Sequence, residues 1–583
     1  MVVPNQSPVI VIGGSLVGLA SALFLSARKV PLILLERHTA SSPHPRAIGY
    51  TTRTLELLQG AGIPSSSLRA GPTSGGGGSG GGPPRRIKVT SLAGEWANEQ
   101  HWSSNKGGKP EKGGPSGGPH PDKKPGAGPG PGGPTTPGGK TYAPIMGTAI
   151  AQDRLEPILR QRAVDLGADL RLGWEVTGWS QTADGVSVTA VSAQGEQATF
   201  EGSYIVACDG AASRVRAALG IATHGVGRLR GVCSVLFRCA PMERFLGRGF
   251  AQFSIEGRDD GVEAFLTTYG DGRWALMWSA EEDAARTTGA RAQRDLVRAV
   301  AGLGEDEIAD DDVELLAIGY WELGARIAER FSDGRVFLAG DAAHTLPPNR
   351  GGYGANTGFA DAHNLAWKIA AVREGAADPA ILATYDEERR PVAMVRHDQL
   401  FARDDYKPYV RDREWSLTRA GASGEVPVLD DIAMELGQIY LSSGGVVLGV
   451  DGEGLPDALR PDEWAGQPGT RAPHMPLTRG GEEISSLDLF GAGWILLSED
   501  GSWKGVAERA GAELGVGCEF VHVGVVVKEA DEKETFAANF GVGGTGAVLV
   551  RPDGFIAWRV AEKGDDTERV FLEAFAKVSF ARK

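Results

Sequence analysis

Residues 8–12 (PVIVI) form a short β-branched apolar run that stops at Gly13-Gly14-Ser15-Leu16-Val17-Gly18. Leu19, Ala20, Leu23, Phe24 and Ala27 then recur at helical spacing, and a second apolar run from Val30 to Leu35 ends on Glu36. The hydrophobic period switches from strand to helix and back within about 30 residues. This unit limits the fold more than any other stretch, because two parallel strands joined by one helix belong to an α/β sheet wound on both faces. It also limits the chemistry. The first N–H groups of such a helix lack intrahelical partners and lie at the positive end of its dipole, where a pyrophosphate binds well. Gly13 permits the tight turn and Gly18 the close packing of helix on strand. The middle glycine of the usual G-x-G-x-x-G pattern is replaced by Ser15, which is small enough for the backbone to approach. Glu36, 23 residues after Gly13, is placed to accept both hydroxyls of an adenosine ribose. The context favours dinucleotide binding; a glycine-rich turn with a purely structural role is the alternative.

Two further strand ends repeat the pattern of an apolar run closed by an aspartate. Residues 204–216 read YIVACDGAASRVR, with Asp209 followed by Gly210, Ser213 and Arg216. Taken alone, Asp-Gly after a strand is usually a turn. Residues 336–344 read VFLAGDAAH, and the chain continues through Pro347, Pro348, Asn349, Arg350, Gly351, Gly352, Tyr353 and Gly354 into a helix over 356–373. Asp341 is suited to accept from a sugar-alcohol hydroxyl. The helix start offers N–H groups to a partly negative ring edge. Leu365, Ile369 and Val372 form a packing stripe on that helix, but packing does not explain the glycine cluster before it.

Composition narrows the partners. With 60 Lys and Arg against 74 Asp and Glu the net charge is −14, a poor match to nucleic acid or an anionic membrane. Cys208, Cys233, Cys239 and Cys518 show no CxxC and no zinc spacing, and read as reduced cysteines of a cytoplasmic protein. There is no signal peptide and no apolar run of membrane-spanning length. Gly and Pro supply 34 of the 70 positions in 71–140, with linker-like tracts at 75–82 and 107–139 and a short hairpin expected over Arg86 to Gln100 between them. A helical stretch is expected to about residue 425.

The motifs together resemble the class A flavoprotein aromatic hydroxylases, the p-hydroxybenzoate and phenol hydroxylase-like FAD monooxygenases. They are GGSLVGL with Glu36, HPRA at 44–47, AQDRLEPIL at 151–159, CDG at 208–210, GDAAH at 340–344, GANTGFADAHNLAWK at 354–368 and YDEERRP at 385–391. The tail resembles the family's thioredoxin-like domain at LDLFGAGWILL (487–497) and VRPDGFIAWR (550–559). The implied fold is α/β. It has a discontinuous Rossmann-like FAD-binding domain over 1–225 and 331–425, carrying the 71–140 insert as a flexible excursion. A β-sheet substrate domain would occupy 226–330 and a thioredoxin-like domain 430–583. Lacking CxxC, the last domain reads as structural or oligomeric, with a homodimer as the expected assembly.

The resemblance also implies residue roles. Gly13, Ser15 and Gly18 would hold the FAD pyrophosphate, Glu36 the adenosine ribose, and Arg37 would lie beside it. Arg46 would sit near the flavin and the substrate. Gln152 would contact FAD, and Asp209 would serve both FAD and NAD(P)H. Gly340 and Asp341 would bind the ribityl chain, and Gly354, Ala355 and Asn356 would lie at the flavin pyrimidine edge. Pro347 and Pro348 would border the ring face where oxygen reacts. The stretch from Pro348 to Asn356 is about a residue longer than in phenol hydroxylases, which changes its backbone contacts. NADPH or NADH would dock transiently, since only one complete nucleotide unit is visible, and reduce FAD. A flavin C4a-hydroperoxide would then pass oxygen to an electron-rich aromatic carbon of a phenolic or polyketide-like substrate.

Several alternatives stand at this stage. Phe265, Tyr269, Trp278 and Tyr353 are candidates for the substrate pocket, while aromatics at strand spacing are more often core. His344 is either a base or a packed histidine. The same flavin chemistry serves Baeyer–Villiger insertion, epoxidation or inactivation of an antibiotic. A non-enzymatic FAD-binding interaction protein is the reading from another class.

Overall fold

The computed structural model describes residues 7–68, 85–96, 98–100, 141–248, 251–280, 289–348, 352–404, 406–411, 414–418, 426–442, 444–447, 454–530 and 534–582. The linker-like tracts 75–82 and 107–139, and Asn349 to Gly351, lie outside these. The strands Val9–Ile12 and Leu32–Glu36 pair in parallel, joined by helix α1 (Leu16–Ala27). They sit in a six-stranded sheet ordered Ser332–Asp333, Val336–Leu338, Ile205–Ala207, Val9–Ile12, Leu32–Glu36, Asp169–Leu172, parallel throughout except for the first strand. Val9, Ile10 and Val11 expose nothing, as a strand covered on both faces requires. The glycine turn is set by contact. A Cβ on Gly18 would fall 1.8 Å from the Gly13 carbonyl oxygen, and one on Gly13, whose φ is +100°, would fall 2.4 Å from the Cys208 carbonyl oxygen. Any side chain at Gly18 would lift α1 off the sheet.

Helices α2 (Thr52–Gly60), α3 (Gln152–Asp165) and α4 (Arg214–Ala218) follow in this domain. The two-residue strands Gly49–Tyr50 and Thr148–Ala149 pair antiparallel, which brings the Arg46 segment to the start of α3.

The second sheet has eight strands, ordered His344–Thr345, Val313–Ala328, Thr223–Cys239, Arg273–Ser279, Ala264–Thr268, Ala251–Ile255, Arg85–Val89, Asn98–Gln100. Helix α5 (Ala290–Ala301) covers one face, packing Leu296, Val297 and Val300 on Phe237, Leu266, Trp274, Leu276 and Trp278. The hairpin expected over Arg86 to Gln100 forms, but its first strand also pairs in parallel with Ala251–Ile255. The stretch between the two glycine-rich tracts is therefore sheet edge of the second layer, not a free excursion of the first domain. Backbone pairing across the chain, which composition does not report, decides this.

The chain returns to the first domain with α6 (Tyr353–Arg373) and α7 (Thr384–Ala402). Helix α7 stops at Ala402, short of the helix expected to 425; the described residues from 403 to 425 form only a 3-10 turn at Lys407–Val410. In the C-terminal domain, strand Trp494–Ser498, helix Trp503–Leu514 and strand Cys518–His522 precede an antiparallel pair, Ala547–Val550 and Ile556–Val560, and helix Thr567–Ser579. The sheet order places the first strand between the second and third, as in thioredoxin-like folds. All four cysteines are free, and burial pushes the Cys518 thiol up to about 12. The domain thus has no dithiol chemistry.

Candidate active site

The anion corner forms at the start of α1. Ser15 occupies the N-cap position but does not cap the helix; its hydroxyl donates instead to Glu156 Oε1 at 2.8 Å and accepts from Gln152 Nε2 at 2.9 Å. The first N–H groups of α1 are left without a side-chain cap, as a phosphate site requires. Glu36 lies beside them, accepting the Gly14 N–H at 2.6 Å and the His38 N–H at 2.8 Å. These bonds orient the carboxylate and leave further lone pairs for sugar hydroxyls. Arg37 is exposed and donates to His38 Nε2 at 3.1 Å.

Gln152 is an organiser of this corner. Its oxygen accepts the N–H groups of Arg46 and Ala47, both at 3.3 Å, while its amide donates to Ser15 and to Glu156. Its side chain ties Ser15 at the start of α1 to the Arg46 segment. Asn356 acts in the same way at the start of α6. It accepts the Thr51 N–H at 3.0 Å and the Thr54 hydroxyl at 2.6 Å, and donates to the carbonyls of Gly352 and Gly49 at 2.8 and 3.2 Å. Gly354 and Ala355, beside it, stay partly open. The chain from Arg46 to Thr51 is thus held by Gln152 of α3 at one end and Asn356 of α6 at the other, and the Arg46 side chain is exposed.

Asp341 is exposed and has no hydrogen-bond partner among the described residues. Gly340 before it has φ +59°, and a Cβ there would lie 2.7 Å from Val17 of α1. The turn is held from beneath: the Gly340 N–H donates to Asp361 Oδ2 at 3.2 Å, His344 Nε2 lies 2.7 Å from the same oxygen, and Arg389 donates to Oδ1 at 2.8 Å. Burial alone would raise the Asp361 pKa, but His344 and Arg389 outweigh it and hold the carboxyl below its usual range. His344 is 1% exposed, so it is a buried support of the turn and not a base facing substrate. Asp209 accepts the Val215 N–H at 3.1 Å on one oxygen, while the other is buried without a partner among the described residues. Arg216 joins the two aspartate turns, donating to the carbonyls of Ala342 and Ala211 at 2.7 and 2.8 Å. Pro347 is buried and Pro348 exposed at the end of the second turn.

Strand pairing sorts the aromatic candidates. Phe265 pairs with Met277, Met277 with Ser234, and Ser234 with Gly319, so these share one face. Trp278 pairs with Ala264 and Cys233 on the opposite face, beneath α5. It is core, 5% exposed, because strand side chains alternate and Trp278 is one residue out of phase with Met277. Tyr353 is also core: it is 5% exposed, packs on Phe401 and Leu400, and carries Arg396 5.2 Å from its ring centre. The Phe265 face turns toward the Arg46 segment. Ser234 Oγ lies 3.0 Å from His44 Nε2, Tyr269 donates to the Pro45 carbonyl at 2.6 Å, and Arg273 pairs with Asp153 of α3 at 2.7 Å. Tyr269 therefore fixes the loop before Arg46, and burial raises its pKa.

Sequence reading missed Glu156, Asp361, Met277 and the His44–Ser234 contact. A signal existed for two of them. Glu156 lies one turn beyond Gln152 on the same face of α3, and Asp361 opens a polar stripe with Asn364 and Lys368 on the core side of α6.

The donors and acceptors fit FAD. An uncapped helix start, the oriented carboxylate of Glu36, an exposed Asp341 and the unpaired oxygen of Asp209 converge around one sheet end. No group of residues able to hold a metal occurs among the described residues, and no helix there is long and apolar enough to cross a membrane. A family described as "FAD binding domain" matches residues 6–399, and "Aromatic-ring hydroxylase, C-terminal" matches 465–578. The chain is 36% identical to 4-methyl-5-nitrocatechol 5-monooxygenase of Burkholderia sp, over 98% of this chain and 97% of that one. It is 33% identical to tetracenomycin A2 monooxygenase-dioxygenase of Streptomyces glaucescens, over 98% and 97%. A solved ternary complex of aklavinone-11 hydroxylase with FAD and aklavinone superposes with a TM-score of 0.79 at 28% identity, covering 98% of this chain and 99% of that one. The expected motifs, the two-part site and these relatives agree: the chain belongs to the FAD-dependent aromatic-ring hydroxylases and is a flavoprotein monooxygenase.

Proposed function

We propose that the enzyme hydroxylates a flat, electron-rich, uncharged aromatic substrate of the phenolic polyketide kind. The observation that carries this is the face of the eight-stranded sheet opposite α5, which turns toward the Arg46 segment. Its central strands present Phe265, Met277, Ser234 and Gly319 in one row and Thr267, Ala275, Leu236 and Ala317 in the next. Neither row contains a charge. Arg273, two residues along the strand from Ala275, is neutralised by Asp153 and Asp271 at 2.7 Å each. Such a floor accepts a ring system by area and shape, and its own two rows offer no charge to pair with a substrate carboxylate.

When bound, FAD supplies electron transfer from the nicotinamide and the activation of O₂. The protein's part is placement. The α1 start with Gly13, Ser15 and Gly18 holds the pyrophosphate, Glu36 the adenosine ribose and Asp341 the ribityl hydroxyls. Asp209 keeps an acceptor facing the cofactor and the nicotinamide donor. The N–H groups at Gly354 and Ala355 stabilise negative charge at the pyrimidine edge. Arg46 borders the flavin and the substrate, with Pro347 and Pro348 along the ring face. Phe265 forms part of the substrate floor and helps exclude water. NADPH or NADH docks transiently, the enzyme pairs as a homodimer, and it works in the cytoplasm, where its four free cysteines stay reduced.

The test uses purified holoenzyme: a visible flavin spectrum, then NAD(P)H consumption with naphthols, anthraquinones and tetracyclines beside p-hydroxybenzoate. The expected product gains the mass of one oxygen atom with its ring intact. Background NAD(P)H oxidation with every neutral phenol, or preference for the benzoate, overturns the reading; ring opening would indicate Baeyer–Villiger insertion.

A further inference from the structure

A cavity lies where α2, α6 and α7 meet the C-terminal domain, lined by Thr51, His363, Gln438 and Phe555 among others. It leaves about 20 Å³ for the centre of a water-sized particle, against roughly 10–15 Å³ needed by one. Four arginines line it: Arg53, Arg389, Arg396 and Arg471. Three have carboxylate partners. Arg53 and Arg471 share Glu56 at 3.1 and 3.0 Å, and Arg389 pairs with Asp361 at 2.8 Å.

Arg396 has no carboxylate partner among the described residues. It is 5% exposed, donates to Thr357 Oγ1 and to the Met434 carbonyl, and lies over the Tyr353 ring, while its Nε–H has no partner there. Arg471 Nη1 is likewise buried and unpartnered. Two other acids border the space. Asp553 is engaged by Arg551 at 2.6 Å. Glu435 accepts the Arg53 N–H at 3.2 Å and forms no ion pair among the described residues; burial, reinforced by Glu56 and opposed by that N–H, raises its pKa. Four arginines therefore face Glu56, Asp361 and at most Glu435, leaving at least one positive charge uncompensated. Burial, with Arg28 and Arg53 nearby, pushes His363 down to about 3, so it adds no charge near neutrality. A water molecule would satisfy the open N–H groups but not the charge, and an unpaired buried charge is costly.

We propose that this cavity holds one monovalent anion of chloride size, bound by the open donors of Arg396 and Arg471, as a lock between α7 and the C-terminal domain. The space suits a single-atom ion rather than sulfate or a nucleotide phosphate, and its lining shares Asn356, His363 and Asn364 with the 354–368 motif of α6.

The test uses flavin-loaded enzyme. Crystals soaked in sodium bromide should show an anomalous peak in this cavity. Sodium chloride should raise the melting midpoint saturably above sodium gluconate at equal ionic strength, and Arg396→Met should lose that difference while keeping its flavin. Absence of a bromide peak there, or halide stabilisation of equal size in Arg396→Met, overturns the proposal. Where Arg396→Met does not fold, the bromide soak of the unsubstituted enzyme decides.

Discussion

Arg551 carries the firmest energetic consequence. Its guanidinium, fully buried, donates to Glu388 at 2.6 and 2.9 Å, to Asp553 at 3.0 and 2.6 Å, and to the Gly445 carbonyl at 3.2 Å. It thereby fastens the turn before strand Ile556–Val560 onto α7. Removing one partner of a buried pair costs about 3–5 kcal/mol, because the other charge stays buried. In Arg551→Met, Glu388 keeps Lys368 at 2.7 Å, Asn364 at 2.8 Å and Ser442 at 2.8 Å. Asp553 loses its cation and keeps the Trp367 indole N–H at 3.1 Å. The cost therefore falls at the lower bound, about 3 kcal/mol, and amide hydrogen exchange at Arg551 and Phe555 should accelerate roughly 100-fold. Adding Asp553→Asn removes the stranded charge, keeps the indole contact and should recover about 1–2 kcal/mol. Guanidinium melts followed by exchange mass spectrometry read both effects. An Arg551→Met cost under about 1 kcal/mol, or a double variant no more stable than the single, refutes the reasoning.

Three further outcomes follow from the same geometry. Asp341→Ala should release FAD with little change in the apoprotein melting midpoint, since the exposed Asp341 makes no hydrogen bond or ion pair with a described residue; unchanged flavin content contradicts its role. Gly18→Ala places a Cβ 1.8 Å from the Gly13 carbonyl oxygen and should cost roughly 1–3 kcal/mol and the flavin with it, so a fully loaded, equally stable variant would contradict the close packing. Burial alone would raise the pKa values of Glu388, Asp361 and Asp553, but Arg551, Lys368, His344 and Arg389 outweigh it and hold all three low. Their stabilisation is complete above the unfolded carboxylate pKa of about 4 and disappears as pH falls below it. A melting midpoint flat from neutral pH to about 5 is expected, and a decline already at pH 6 would trace acid sensitivity to other groups.

Local patterning made much of the nucleotide site legible. Gly13, Gly18, Glu36 and Asp341 lie where strand ends and a helix start must put them, because each is set by neighbours a few residues away. Roles set by distant partners did not read through. Gln152 and Asn356 spend their amides on Ser15, Arg46, Gly49 and Thr51, contacts separated by over a hundred residues. Trp278 and Met277 are adjacent in sequence and fall on opposite faces; only the position of α5 tells which face is core. Asp361 belongs to a polar stripe that the sequence does show, but its partners His344 and Arg389 do not follow from that stripe.

The parallel pairing of Arg85–Val89 with Ala251–Ile255 interleaves the two halves of the enzyme. The eight-stranded sheet, proposed above as the substrate floor, is discontinuous in the gene, since its edge is encoded more than a hundred codons before its centre. A chimera designed to exchange specificity with a relative must move 85–100 together with 223–328, or it leaves Ala251–Ile255 with an open edge prone to mispairing. During synthesis the same strand waits for its partner until the ribosome has passed residue 255. Neither half then becomes a finished domain ahead of the other, and changes to the substrate layer reach the flavin layer through the shared chain.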